Sequence, residues 1–199
     1  MSGLLIESYT IRAMQTDIDS ARKLTSGNLI LVGMMGSGKS TMGRILAKHL
    51  HKDFVDSDEE IQHRTGVTIP HIFDVEGESG FRQREMAAIE ALLGRNDLVL
   101  ASGGGAVLLE KNREMMKKNG IVIYLKATVH DLWLRTRNDR NRPLLQNTDM
   151  HARLTELLRE REALYEEVAD IVTHTGRQSV HGLMLKLANE IETYRKNNT

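Results

Sequence analysis

The stretch Leu29-Ile-Leu-Val-Gly33-Met-Met-Gly36-Ser37-Gly38-Lys39-Ser40-Thr41 decides the fold. A short apolar run breaks into a glycine-rich turn, and the turn opens a segment in which Met42, Ile45, Leu46 and Leu50 recur at helical spacing. Gly33, Gly38, Lys39 and Ser40 fill every fixed place of the pattern G-x-x-x-x-G-K-[ST]. Gly36 adds another residue that takes positive φ without steric cost. The expected unit is therefore strand, phosphate-binding loop, helix. Backbone N–H groups along Gly36, Ser37, Gly38, Lys39, Ser40 and Thr41 converge on a phosphate, and the positive end of the helix dipole faces it. Lys39 then reaches the β- and γ-phosphates as a mobile point charge, and the Ser40 hydroxyl is placed to coordinate Mg²⁺. A flexible Gly/Ser turn is the competing explanation. It accounts for the glycines but not for the whole pattern between a strand and a helix.

Around this unit the chain reads as one domain. It has 199 residues, 40% of them hydrophobic and 27% charged, with two prolines and no apolar run long enough to cross a bilayer. Leu4-Leu5-Ile6 is followed at once by Glu7 and preceded by no basic region, so a secretory leader is not expected. The chain has no cysteine, hence no disulfide, thiolate ligand or thiol nucleophile, and a cytoplasmic location is the default expectation. Lys plus Arg and Asp plus Glu balance at 27 each. No global field draws nucleic acid or an anionic membrane, so any anion recognition is local. Residues 1–27 carry no chemical signal and read as an N-terminal extension of uncertain order, followed by a domain over 28–194 and a C-terminal tail at 195–199.

Along the domain, Phe54 and Val55 form a very short second strand that runs into Asp56-Ser-Asp58-Glu59-Glu60. Ligands of open α/β sheets bind beyond the carboxyl ends of the strands, which brings Asp56 and Asp58 beside the phosphate loop. One can help hold Mg²⁺ while the other accepts a proton. The alternative is that these acids cap and charge the first turn of the next helix, and for Glu59 and Glu60 that reading is preferred. Gly66 ends this helix. Thr68 caps another that begins at Ile69-Pro70 and stops at Gly77, and a longer one from Glu78 to Leu93 presents Phe81, Ala88, Ile89, Leu92 and Leu93 on one face. Arg82 and Glu85 are three apart on it and are expected to pair along the surface, unless the substrate is a carboxylate that Arg82 clamps.

Leu98-Val-Leu-Ala101 reads as a strand buried on both faces, and it runs into Ser102-Gly103-Gly104-Gly105. Three glycines in a row fit a place where another group approaches the backbone, although a plain turn also explains them. Because this strand ends in Ser102 rather than Asp, the Mg²⁺ role falls to Asp56. A fourth strand follows at Ile121–Leu125, then a helix from Val129 to about Arg137. A polar stretch comes next, in which Arg135, Arg137, Arg140 and Arg142 are available to stack on a base or steady a phosphoryl group. Residues 136–150 read as a lid. In the helix Ala152–Val168, Arg161 stands among Leu154, Leu157, Leu158 and Tyr165, where it either snorkels or reaches an anion. Asp170–Thr173 and a helix from Val180 to Tyr194 close the chain. Strands alternating with helices give a three-layer α/β/α sandwich around a five-stranded parallel sheet.

Together these motifs resemble the shikimate kinase family, which lies within the nucleoside-monophosphate-kinase-like phosphate-loop proteins. The resemblance rests on Gly33-Met-Met-Gly-Ser-Gly-Lys-Ser40, Asp56-x-Asp58, Gly80-Phe81-Arg82 with Glu85, Gly103-Gly-Gly105, Arg142-Pro143-Leu-Leu, and Arg161 before Leu164-Tyr165. It implies ATP-dependent, Mg²⁺-assisted phosphorylation of the shikimate 3-hydroxyl. By that resemblance Asp58 binds the ring hydroxyls and is the candidate base, Ser40 and Asp56 support the metal, and Arg82 and Arg161 grip the carboxylate. Gly103, Gly104 and Gly105 line the ring, Arg135 lies near adenine, Arg142 belongs to the lid at 136–150 and touches the transferring phosphoryl, and 56–93 is the substrate-binding region. A monomer is expected. The alternatives are another small-metabolite kinase of this architecture, such as a gluconate kinase, and a non-catalytic ATP-binding regulatory module.

Overall fold

In the computed structural model, which describes residues 27–137, 149–176 and 178–198, five parallel strands form one sheet in the order β2-β3-β1-β4-β5. The strands are β1 (Asn28–Val32), β2 (Asp53–Asp56), β3 (Leu98–Ala101), β4 (Gly120–Lys126) and β5 (Ile171–His174). The helices are α1 (Lys39–Leu50), α2 (Ser57–Thr65), α3 (Ile69–Leu93), α4 (Glu110–Asn119), α5 (Val129–Thr136), α6 (Met150–Val168) and α7 (Val180–Asn197). The expected three-layer α/β/α sandwich is present.

The apolar runs of the central strands are continuous because both faces of the sheet are covered. Ile30, Val32, Leu98, Leu100, Val122 and Tyr124 pack with Ile89 and Leu92 of α3, Leu132 of α5, and Leu154, Leu157 and Tyr165 of α6. The alternate residues Leu29, Leu31, Val99, Ile123 and Leu125 pack with Met42 and Leu46 of α1 and Leu183, Leu187 and Ile191 of α7 on the other face. Each such side chain contributes roughly 1.5–3 kcal/mol when fully buried, so the central strands anchor both helical layers. A smaller cluster of Ile61, Ile72, Phe81 and Ala88, with Ile69 and Phe73 against it, gives α2 and α3 a core of their own beside the sheet edge.

Local sequence sets most of the boundaries. The Thr68 hydroxyl caps α3 and Pro70 sits in its first turn. Gly77, at φ 69°, interrupts α3 where two helices were expected. Asp149 caps α6 by accepting from His151 and Ala152, so that helix starts two residues before the expected Ala152. Two features differ from the sequence reading. The helix α4 was not foreseen, since Glu110-Lys-Asn-Arg-Glu-Met-Met-Lys-Lys-Asn119 offers only two apolar residues. It is held by buried Met116 and by buried Asn112, whose amide donates to the Ala106 carbonyl at 2.9 Å. The closing helix also continues to Asn197 with Arg195 buried, so the tail expected from residue 195 begins only after that helix.

At the amino end of the sheet, the Lys52 side chain is 2% exposed and donates to the Gly27 carbonyl at 2.7 Å and to Asp97 Oδ1 at 2.8 Å. Asp97 also accepts from the Gly27 N–H at 3.0 Å. Burial pushes the Lys52 ammonium down from its ordinary value, against the opposing pull of Asp97. The hydrogen bond from Lys52 holds the Asp97 carboxyl below its ordinary 3.8. A carboxyl with a depressed folded-state pKa adds stability that is present above 3.8 and is lost as pH falls through the lower folded value. Because the Asp97 carboxylate is largely exposed and screened by solvent, Asp97→Asn is expected to lower the melting temperature at neutral pH by only about 1–2 °C, the shift that roughly 0.5 kcal/mol produces in a domain of this size. Melting curves of both proteins should converge as the pH is taken below 3.8.

Candidate active site

The site forms where β1, β2 and β3 end side by side. Leu31 pairs with Ala101, and the Ser102 N–H and hydroxyl both reach the Leu31 carbonyl at 3.1 Å, extending the pairing past the strands. This brings the triple glycine against the phosphate loop. A Cβ placed on Gly104 would lie 3.3 Å from the Met35 N and 3.6 Å from the Gly33 carbonyl oxygen.

The phosphate loop has the expected form. Gly36 and Gly38 lie at φ 78° and 98°, a backbone that side chains resist. Gly38 is the N-cap of α1 and brings no side chain to it, and the first turn of α1 holds no acid that would compete with a bound anion. The Lys39 ammonium donates to the carbonyls of Gly33 at 2.8 Å and Met34 at 3.0 Å, folded back across its own loop. Ser37 is buried, and its N–H bonds to the Met34 carbonyl at 3.1 Å.

Asp56 caps the helix after β2 and also reaches the phosphate loop. Its Oδ1 caps α2 by accepting from the Asp58 N–H at 3.0 Å, while its Oδ2 accepts from the Ser40 hydroxyl at 2.5 Å. These two hard oxygen donors meet beside the loop, and they suit a cation that keeps most of its shell as water and phosphate oxygen. Among the described residues no cluster of three His, Cys, Asp or Glu is arranged to hold a metal ion. The donor set therefore fits Mg²⁺ carried in with a nucleotide rather than a dedicated metal cage. Glu59 and Glu60 stand in the first turn of α2, where acids were expected to charge the helix start, and pair with Arg44 at 2.5 Å and Arg64 at 2.6 Å.

Opposite the loop, buried charges converge on the triple glycine. Arg82 Nη1 donates to Glu85 Oε2 at 2.7 Å and Nη2 to Glu78 at 2.8 Å, with the Glu85 side chain 0% exposed. The surface pair expected from their spacing is instead a buried one. Burial alone would lower the Arg82 guanidinium, but the charges and hydrogen bonds of Glu85 and Glu78 outweigh it and hold it above its ordinary value. Burial pushes the Glu85 carboxyl up, opposed first by Arg82 and more weakly by Arg161. Arg161 is 3% exposed, which rules out snorkelling, and its Nη1 lies 3.4 Å from the Gly104 carbonyl. Glu85 Oε1 and Arg161 Nε are buried without a hydrogen-bond partner. The cost of leaving them so makes this a place prepared for a polar ligand.

The glycines are there for space. A Cβ on Gly105 would stand 2.2 Å from Arg82 Nη2, and one on Gly103 would stand 2.4 Å from Glu85 Oε1 and 2.8 Å from Asp58 Oδ1. Lys39, Ser40, Thr41, Asp56, Asp58, Arg82, Glu85, Gly103, Gly104, Gly105, Arg135 and Arg161 all line one open cleft of roughly 1000 Å³. Arg135 donates to the Gly36 carbonyl at 3.3 Å and to the Thr175 carbonyl at 2.6 Å, which ties it to the phosphate loop and to the segment after β5. Arg142 and most of the expected lid lie outside the described residues. Glu85, which the sequence presents only as a surface partner for Arg82, is instead a buried residue of the site. The signal was present, since it falls on the buried stripe of Phe81, Ala88, Ile89 and Leu92.

A phosphate loop at the end of the central strand of a five-stranded parallel sheet, with a helical insertion after β2, defines a phosphate-loop protein of the nucleoside-monophosphate-kinase-like type. Within that type the chain belongs to the shikimate kinase family: the family model for shikimate kinase matches residues 35–192. A shikimate kinase of Nitrosospira multiformis is 51% identical over 173 residues, covering 87% of this chain and 89% of the relative. The structure of shikimate kinase from Acinetobacter baumannii in complex with shikimate superposes with a TM-score of 0.82 at 46% identity, covering 84% of this chain and 93% of that one. A gluconokinase from Sinorhizobium meliloti aligns with a TM-score of 0.55 at 17% identity over 86% of this chain and 94% of its own, a likeness of fold alone.

Proposed function

We propose that this protein transfers the γ-phosphoryl group of ATP to the 3-hydroxyl of shikimate, giving shikimate 3-phosphate and ADP, with Mg²⁺, as a monomer in the cytoplasm. The observation that carries the reading is the convergence of two guanidinium groups, the partly buried Arg82 and the buried Arg161, on a side-chain-free glycine wall beside a phosphate loop. A nucleotide switch has no use for that pair, and the gluconokinase likeness extends only to the fold.

Phosphoryl transfer asks mainly for positioning and neutralisation of charge. Lys39 leaves the carbonyls of Gly33 and Met34 and turns to the β- and γ-phosphate oxygens, while the loop N–H groups from Gly36 to Thr41 receive the phosphate chain. Ser40 and Asp56 would hold Mg²⁺, which would supply neutralisation of the phosphate charge there. Arg82 and Arg161 clamp the carboxylate of shikimate, and Gly103, Gly104 and Gly105 admit the ring. Asp58, against Gly103, binds the ring hydroxyls and accepts the 3-hydroxyl proton as it attacks. Arg135 supports the adenine side, and Arg142, on the family likeness, closes with the lid. Among the described residues no helix is long and apolar enough to cross a membrane, and no nucleic-acid partner is proposed.

ADP release measured with shikimate, with gluconate and without acceptor tests the activity, and only shikimate is expected to give sustained turnover. Equal release in all three would leave an ATPase or a switch. Asp58→Asn should lower kcat by about 10²–10⁴-fold, the usual contribution of a positioned base; a change confined to KM would reduce Asp58 to a binding group. Arg82→Ala and Arg161→Ala should each weaken shikimate binding by about 1.5–3 kcal/mol with little effect on ATP affinity. The double variant should lose less than the sum, because both serve one anion. Titration calorimetry with shikimate and with its neutral amide separates this from a purely structural role, in which acid and amide would weaken alike.

A further inference from the structure

Tyr165 lies one helical turn beyond Arg161 on α6 and is fully buried, yet neither nucleotide nor acceptor chemistry requires it. Its hydroxyl donates to the carbonyl of Gly104, the middle residue of the glycine wall, and lies 3.7 Å from the thioether sulfur of Met34 in the phosphate loop. Met34 is itself buried, and its carbonyl receives the Lys39 ammonium at 3.0 Å and the Ser37 N–H at 3.1 Å. The Gly104 carbonyl also lies 3.4 Å from Arg161 Nη1. A single hydroxyl thus touches the loop that receives phosphate and the loop that receives the acceptor, with Arg161 interacting with it directly and Lys39 one contact further on. The ring is held independently of the hydroxyl, stacked on Tyr124 of β4 with centroids 5.0 Å apart and planes 25° from parallel. Burial pushes the Tyr165 phenol up from its ordinary value, so it remains a donor throughout the working pH range.

We propose that Tyr165 is a positioning residue that keeps the Gly103–Gly105 wall in register with the phosphate loop, so that the acceptor is presented at the correct distance and angle to the transferring group. The proposal rests on the reading of the cleft as an acceptor site for shikimate. Loss of the hydroxyl leaves the Gly104 carbonyl on Arg161 alone, which draws that guanidinium away from the acceptor carboxylate and frees the wall to shift.

Tyr165→Phe keeps the ring and its stacking and removes only the tie. In the full-length protein the KM for shikimate is expected to rise at least about fivefold, the equivalent of one lost hydrogen bond, while the Kd for ADP measured without acceptor stays within about twofold. Amide exchange of residues 102–106 should quicken relative to residues 29–32. An unchanged shikimate KM with a lower melting temperature would overturn the proposal and make the hydroxyl structural. Equal weakening of shikimate and ADP would also overturn it, as general loosening. Should Tyr165→Phe not fold, Met34→Leu removes the sulfur end of the tie at similar volume and is expected to raise the shikimate KM at least about twofold by the same logic; no rise would again overturn the proposal. Absence of shikimate turnover in the wild type would instead sink the functional reading, so the two failures are distinct.

Discussion

Parallel pairing of β1 with β3 is the constraint on which the site depends. Its register, Leu31 opposite Ala101, ends both strands at one level, and the Ser102 bonds to the Leu31 carbonyl carry the pairing one residue further. Two loops with unrelated tasks emerge there a few ångströms apart. A slip along β3 would move the glycine wall away from the phosphate loop and exchange the side chains that pack against the two helical layers. The hydrophobic alternation that seals α1 and α7 to one face and α3, α5 and α6 to the other therefore also fixes the distance between nucleotide and acceptor.

The polar contacts around this register are economical. Asp56 uses one oxygen to start α2 and the other to receive the Ser40 hydroxyl, so the helix that carries Asp58 is oriented by the same carboxylate that meets the phosphate loop. Ser57, fully buried next to it, accepts from the Gly103 N–H at 2.8 Å and fastens the end of β2 to the glycine wall. Three strand ends are thereby cross-linked by side chains of residues 40, 56, 57 and 102.

What was legible in the sequence was what a short window carries. The phosphate loop, the strand-to-helix step at Asp56, the cap at Thr68 and the break at Gly77 each depend on residues within a few positions of one another. The fate of Arg82 and Glu85 does not. Their spacing says only that they can meet. Whether they meet in water or in the interior depends on what lies opposite, here Gly103, Gly105 and Arg161 from distant parts of the chain. The helix α4 escaped notice for the converse reason, because its buried face is built on Asn112 and Met116 and shows almost no hydrophobic period. Tyr165 reads in the sequence as one more apolar position of α6, since nothing local reveals that its hydroxyl meets a glycine carbonyl.

The buried Arg82–Glu85 pair carries a thermodynamic consequence for recognition. A free arginine side chain holds about 2 kcal/mol of rotamer entropy, which a ligand would ordinarily have to freeze on binding. Glu85 and Glu78 freeze it during folding instead, with Nε and both terminal nitrogens of Arg82 already engaged. In the proposed function an arriving carboxylate would meet a guanidinium whose plane is set in advance, taking up donor hydrogens rather than organising them. Selectivity in such a site resides in shape and direction more than in charge alone, because an anion that cannot align with a fixed plane gains little from being negative.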